Sequence, residues 1–98
     1  MKNIRSSGIN DAGLRELSYA ISKLSKLLKL IIHLSWLEKI TDKGLMFLAH
    51  AALQLKHLKL AEFNFICCRG VKEDATLAFK KTLRDHSTIS EVYCNFEK

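Results

Sequence analysis

Two short clusters in this 98-residue chain hold side chains that could do chemistry. Asp85, His86 and Ser87 are the three residue types of a hydrolytic triad. They are consecutive, however, and neighbours on one loop cannot easily align nucleophile, base and orienting acid, so we expect a helix C-terminal turn in which Asp85 and Ser87 bond the backbone. Cys67 and Cys68 could form a reactive dithiol, but adjacent cysteines give a strained disulfide and no C-x-x-C spacing supports zinc. We therefore expect one buried and one exposed thiol there.

Other side chains with chemical potential have simpler interpretations. Cys94 falls at a core position of the last predicted strand, so we expect it to be a small buried residue. His50 and His86 are expected on the surface, and Trp36 is expected to cover the edge of the core. The sequence has no phosphate-binding Gly-rich loop, no G-x-S-x-G and no H-E-x-x-H. It therefore predicts no catalytic residue, cofactor or metal site.

Composition and charge restrict the kind of protein. Hydrophobic residues make up 48% and charged residues 27%, which is typical of a globular domain. The net charge is +6, with 11 Lys/Arg against 5 Asp/Glu in residues 1–70 and 5 of each in residues 71–98. The lysines lack interleaved aromatics, so nucleic-acid binding is not expected. Three cysteines without a framework spacing favour a reducing, intracellular compartment, and no apolar run has the length of a membrane span.

A duplicated motif indicates which elements position these side chains. Residues 9–14 read INDAGL and residues 40–45 read ITDKGL, both of the form I-x-D-x-G-L. Leu17 and Leu48 follow at the same distance. Internal similarity at this period is typical of solenoids. Gly13 and Gly44 occupy matched places, and we expect them to let each helix lie close to its neighbour.

The first copy predicts a helix followed by a strand. A helix from about Asp11 to Lys26, capped by Asn10 or Asp11, would bury one stripe. The stripe residues are Leu14, Leu17, Ala20, Ile21 and Leu24. Alternation at Leu30, Ile32 and Leu34 then predicts a strand.

The second copy repeats this pattern, with Thr41 or Asp42 as the cap. Its helical stripe is Leu45, Leu48, Ala49 and Ala52. We align its L-x-x-L-x-L run, Leu55, Leu58 and Leu60, with Leu27, Leu30 and Ile32, which sets the strands 28 residues apart.

A third copy follows EFNFICCRG, which we interpret as an insertion. Its predicted helix face is Ala75, Ala78, Phe79 and Leu83, and its strand positions are Ile89, Val92 and Cys94, with Phe96 in phase. The sequence thus predicts one α/β domain over residues 1–98. Its units are about 9–39, 40–70 and 71–98, with parallel strands joined by helical crossovers.

These motifs resemble leucine-rich repeats of the ribonuclease-inhibitor or cysteine-containing kind. The resemblance covers residues 9–96 and implies a short right-handed leucine-rich-repeat solenoid. ITDKGL, LKHLKL, GVKED and LAFKKTL together look more narrowly like the family of mitochondrial ATP synthase subunit s (factor B) and distal membrane arm assembly component 2. Members of that family are longer and carry N-terminal sequence that is absent here. The narrower resemblance implies a non-enzymatic accessory or assembly subunit, peripheral to the mitochondrial inner membrane. Otherwise we expect a cytoplasmic protein.

In such a solenoid the residues between the core leucines line a concave surface. The predicted binding face therefore has three rows across the strands. They are Lys29, His57 and Glu91, then Ile31, Lys59 and Tyr93, then His33, Ala61 and Asn95. This mixed face suits a protein partner, which the basic charge suggests is acidic, and not a small-molecule substrate.

Other functions and arrangements stay open at this level. The repeats could be the C-terminal part of a ubiquitin-ligase substrate-recognition subunit, or a small basic domain that binds nucleic acid or an acidic surface. We expect earlier repeats or a partner to cover the N-terminal edge. The isolated chain is then expected to be marginally stable and prone to self-association.

Overall fold

A parallel sheet and a layer of three helices make up the part of the chain that the structure describes. The computed structural model describes residues 2–7, 9–35, 39–66 and 70–97. Its elements in chain order are β1 (Lys2–Ser7), α1 (Asp11–Ser22), β2 (Lys29–Ser35), α2 (Asp42–Leu53), β3 (Leu60–Ile66), α3 (Glu73–Arg84) and β4 (Glu91–Glu97). The strands pair in parallel in the order β1-β2-β3-β4. The predicted α/β architecture with a parallel sheet is confirmed.

Strand β1 was not predicted from the sequence. It pairs with β2 so that Ile4 lies opposite Ile32. The segment KNIRSS has one apolar residue, so it lacks the alternation that indicates a half-buried strand.

The strands β2, β3 and β4 recur at 31 residues, not at 28. Leu30 lies opposite Ala61, and Ala61 lies opposite Val92. The predicted alignment of Leu58 with Leu30 is therefore wrong. The alignment failed because the small Ala61 occupies the core position of β3 where a leucine was expected. EFNFICCRG is accordingly not an insertion, because Glu62 to Ile66 belong to β3.

The core lies between the sheet and the helices. Alternate residues of the central strands point into it and are fully buried, among them Ile32 and Phe63. An aromatic cluster packs between β3 and α3, where the ring of Phe79 meets that of Phe63 edge-to-face with centroids 5.0 Å apart. The predicted stripe of α2 is buried throughout.

One helix boundary and several assignments to buried stripes depart from the prediction. Helix α1 ends at Ser22 and not near Lys26, and Leu24 beyond it is 38% exposed. Ala20 and Ala78 face solvent, although both were assigned to buried stripes. The expectations for Trp36, Cys67 and Cys68 concern residues outside the described ranges. Each described helix has 12 residues, and none of them is long and apolar enough to cross a membrane.

Candidate functional site

One face of the sheet is not covered by the helices, and we call it the open sheet face. It carries the residues that alternate with the buried positions of β2, β3 and β4. Its members are Lys29, Ile31, His33, Leu60, Glu62, Asn64, Glu91, Tyr93 and Asn95. None of them is buried, and Tyr93 is 53% exposed.

Strand register arranges these nine side chains in three rows. The rows are Lys29–Leu60–Glu91, Ile31–Glu62–Tyr93 and His33–Asn64–Asn95. Each row takes one residue from each strand. The face therefore presents a charged end, an apolar and acidic middle and a polar far end.

The structure places six of the nine predicted face residues on this face and three elsewhere. Ala61 is fully buried, with 0% of its surface exposed, because it is the core residue opposite Leu30. His57 and Lys59 precede β3, which begins at Leu60, so they lie in the loop at the edge of the sheet. The three errors have one cause, since all follow from the 28-residue alignment.

Sequence reasoning missed Leu60, Glu62 and Asn64. The signal was present in the chain, because the two I-x-D-x-G-L motifs are 31 residues apart. Carrying that period into the strands would have matched Glu62 with Ile31. The leucine spacing was followed instead.

Polar contacts link neighbouring strands across the open face. His33 Nε2 and Glu62 Oε2 are 2.6 Å apart, and both side chains are about one-third exposed. Asn95 Nδ2 donates to Asn64 Oδ1 at 3.5 Å, which is a long contact. These contacts orient the polar side chains of β2, β3 and β4 while leaving them accessible to a partner.

A depression of about 410 Å³ extends around β4, from the open sheet face to the side on which α3 lies. Its lining includes His33, Glu62 and Tyr93 from the open sheet face and Lys80 and Arg84 from α3. The lining mixes both signs of charge around an exposed aromatic ring.

Cys94 lies on the opposite side of β4 and is half-buried against the core. Burial raises the pKa of its thiol to about 11, and the positive charges of Lys80 and Arg84 oppose this only in part. The thiol is therefore protonated near neutral pH. Since the thiolate is the nucleophile, Cys94 is suited to packing and not to covalent chemistry.

The cluster at residues 85–87 does not form a triad. His86 is 8% exposed, so its expected surface position is wrong. Its Nδ1 accepts a hydrogen bond from the backbone N–H of Thr88 at 3.1 Å, and its Nε2 lies 3.1 Å from the carbonyl oxygen of Ala52. Asp85 pairs with Lys81 across one helical turn at 3.0 Å. Both nitrogens of His86 thus have structural partners.

No group of three or more His, Cys, Asp and Glu side chains that could hold a metal ion occurs within the described ranges. Comparison of the chain with models of protein families, with curated proteins and with solved structures found no match.

Proposed function

We propose that this chain is a short right-handed solenoid of the leucine-rich-repeat type that binds a protein partner through its open sheet face. The observation that carries the proposal is the set of three rows on that face, each drawing one side chain from each of three strands. Stacked repeats build extended binding surfaces in this way. The 31-residue equivalence of β2, β3 and β4 supports the repeat interpretation.

The middle row is expected to provide most of the affinity. Ile31 and Tyr93 flank Glu62 on adjacent strands. Aromatic side chains are enriched where interfaces are strongest, and Tyr93 stands 53% exposed before any partner binds. A partner that places an apolar side chain between Ile31 and Tyr93 and a basic group near Glu62 fits this row.

A wider assignment follows from the sequence resemblance alone. On that basis the chain is an accessory or assembly subunit of a mitochondrial ATP synthase or respiratory complex, acting by contact and without catalysis. Import of the tagged chain into isolated mitochondria, followed by protease protection, tests the location. A chain that stays outside mitochondria while still binding its partner through the open face would refute the wider assignment and leave the binding function intact.

The binding proposal is tested by capturing partners from cell extract with the full chain and with two matched variants. The first combines Ile31→Ser, Glu62→Lys and Tyr93→Ser. The control combines Met46→Ser, Glu16→Lys and Leu77→Ser, which makes the same chemical changes at exposed positions of the helices.

We expect the first variant to lose the partners that the control retains, with both showing the circular dichroism of the parent. Retention of all partners by the open-face variant would refute the proposal. So would loss of the partners by the helix variant alone, because the helical surface would then be the binding surface.

A further inference from the structure

The segments that follow α1 and α2 form a basic edge, which we call the lysine rim. It consists of Lys23, Lys26, Lys29, Lys56 and Lys59, with His57 among them. All six side chains are exposed. They account for a large part of the basic excess in residues 1–70 but have no role in the core.

Backbone hydrogen bonds hold the two segments side by side. The N–H of Lys59 donates to the carbonyl of Leu28 at 2.8 Å, and the N–H of Leu60 donates to the same oxygen at 3.1 Å. Both segments thus lie at the edge of the sheet where the strands begin. Their lysines face solvent along one continuous border.

No acidic residue lies within the two segments, residues 22–29 and 53–60, and Glu91 adjoins them at the third unit, where its N–H donates to the carbonyl of Lys59 at 3.1 Å. The ion pairs in the described part of the chain, His33–Glu62 and Lys81–Asp85, involve no lysine of the rim. The corresponding segment after α3 does carry acids, Asp85 and Glu91, so the rim ends at the third unit.

The side chains of two rim lysines, Lys56 and Lys23, make local contacts. Lys56 Nζ donates to the carbonyl of Leu53 at 3.1 Å, which satisfies a free group at the end of α2. Lys23 Nζ lies 4.7 Å from the centre of the Tyr19 ring. The structure gives no such contact for the side chains of Lys26 and Lys59.

Exposed apolar side chains stand among these charges. Leu24 is 38% exposed and Leu28 is 53% exposed, and Tyr19 beside Lys23 is 63% exposed. Lysines with interspersed leucines and a tyrosine are the composition of surfaces that adsorb to anionic bilayers, where cations meet headgroups and apolar side chains enter the interface. The rim contains no arginine, so its attraction to anionic headgroups would come from lysine point charges and not from bidentate hydrogen bonds.

We infer that the lysine rim docks on anionic phospholipid membranes, with Leu24 and Leu28 entering the headgroup region. The lysines attract the anionic headgroups by charge complementarity. The two segments lie side by side, so the whole rim can contact the membrane surface. The rim is separate from the middle row of the open sheet face. Lys29 belongs both to the rim and to the first row of that face, so the two surfaces adjoin there.

Vesicle co-sedimentation with the full chain tests this inference. The probes are phosphatidylserine–phosphatidylcholine vesicles and vesicles of phosphatidylcholine alone, each at low and high salt. We expect binding to the anionic vesicles only, weakened by salt. The rim variant Lys23→Glu, Lys26→Glu and Lys59→Glu should lose affinity on the order of 100-fold.

A control variant carries Lys39→Glu, Lys43→Glu and Lys72→Glu. It changes the net charge equally at the other end of the strands, and all three lysines are exposed. We expect it to keep affinity within several-fold of the parent. In the parent background, Leu24→Gln with Leu28→Gln should weaken the binding that persists at high salt.

Several outcomes would overturn the inference. Equal loss in the two lysine variants would mean that net charge, and not the rim, determines binding. Absence of vesicle binding by the parent, with tight binding to poly-uridylate or to an acidic peptide, would assign the rim to another class of partner. If the rim glutamate variant lacks the circular dichroism of the parent, the same lysines of the rim and of the control are replaced by glutamine instead. Unchanged vesicle binding by a folded glutamine variant of the rim would then refute the inference.

Discussion

The carboxylate of Asp11 accepts a hydrogen bond from the backbone N–H of Thr41, thirty residues later, with a nitrogen–oxygen distance of 2.8 Å. Asp42 accepts from the backbone N–H of Lys72 in the same way at 2.9 Å. The aspartate of each I-x-D-x-G-L motif therefore ties the start of one helix to the start of the next. The aspartate does not cap its own helix. In α1 the preceding residue does so, since Asn10 accepts a hydrogen bond from the backbone N–H of Gly13 at 2.8 Å.

Replacing Asp11 with alanine should destabilise the fold by about 1–2 kcal/mol, because the variant leaves the N–H and hydroxyl of Thr41 without their carboxylate partner. Urea denaturation followed by circular dichroism measures the change. Asp74→Ala is the control, since Asp74 is an exposed acid in the first turn of α3 without an inter-unit bond in the described structure. Equal losses in the two variants would mean that the helix dipole, and not the link to Thr41, accounts for the effect.

Gly44 lies where α2 packs against α1. A Cβ at this position would lie against the Asp11 carboxylate and 3.1 Å from Leu14 Cδ2. At Gly13 the nearest obstruction is Ile9, which belongs to the same unit. The expectation that the motif glycine allows close approach between helices is thus confirmed at Gly44. Ala75 takes this place in the third unit.

Gly44→Ala should therefore destabilise the protein by about 1–3 kcal/mol despite the better helix propensity of alanine. Gly13→Ala should cost less, because the Ile9 side chain can move. The cost of Gly44→Ala should also be smaller in an Asp11→Ala background, because the smaller side chain removes one obstruction. Chemical denaturation of the four variants of this cycle measures the coupling. Additive losses would place the strain elsewhere.

The 31-residue spacing of the two I-x-D-x-G-L motifs agrees with the observed strand register, whereas the 28-residue spacing of the leucines does not. Leu45 and Leu48 are buried where the second copy of the motif predicts the helical stripe. The strand register could not be predicted correctly from apolar residues alone, because Leu60 faces the open side while Ala61 faces the core. A strand shifted by an odd number of residues exchanges its two faces. That single shift removed Glu62 and Asn64 from the predicted site.

The burial of His86 was also not predicted from the sequence. It occupies the place that Leu55 has in the second unit, and a polar residue there gave no core signal. Its ring contacts the carbonyl of Ala52 in α2, which is possible only after the units stack, and the backbone N–H of Thr88 in its own unit. A repeat period of 31 would have raised the possibility, since Leu55 and His86 are separated by that number.

His86→Ala should cost about 2–3 kcal/mol, because it opens a cavity and leaves the N–H of Thr88 and the carbonyl of Ala52 without their ring partner. His50→Ala is the matched control, since His50 is exposed on α2, and its loss should be within about 0.5 kcal/mol. Thermal and urea unfolding of both variants measure the difference. Similar stabilities for the two would contradict the buried position of His86.

Cys94 should make stability depend on alkaline pH. Its folded pKa is about 11, above the ordinary value of 9.0, because burial disfavours the thiolate. The folded state therefore holds the proton more tightly than the unfolded state, so this contribution is fully present below pH 9.0 and is lost as pH rises toward 11.

The measurement is the free energy of unfolding, relative to the same protein with Cys94→Ala, in a background where Cys67 and Cys68 are serine. The difference between the two proteins should change through that window, since other groups titrate alike in both. In the same background at pH 8, iodoacetamide should modify Cys94 far more slowly in the folded chain than in urea. A stability difference that is independent of pH, together with rapid alkylation of the folded chain, would show that the thiol is not held in its protonated form by the core.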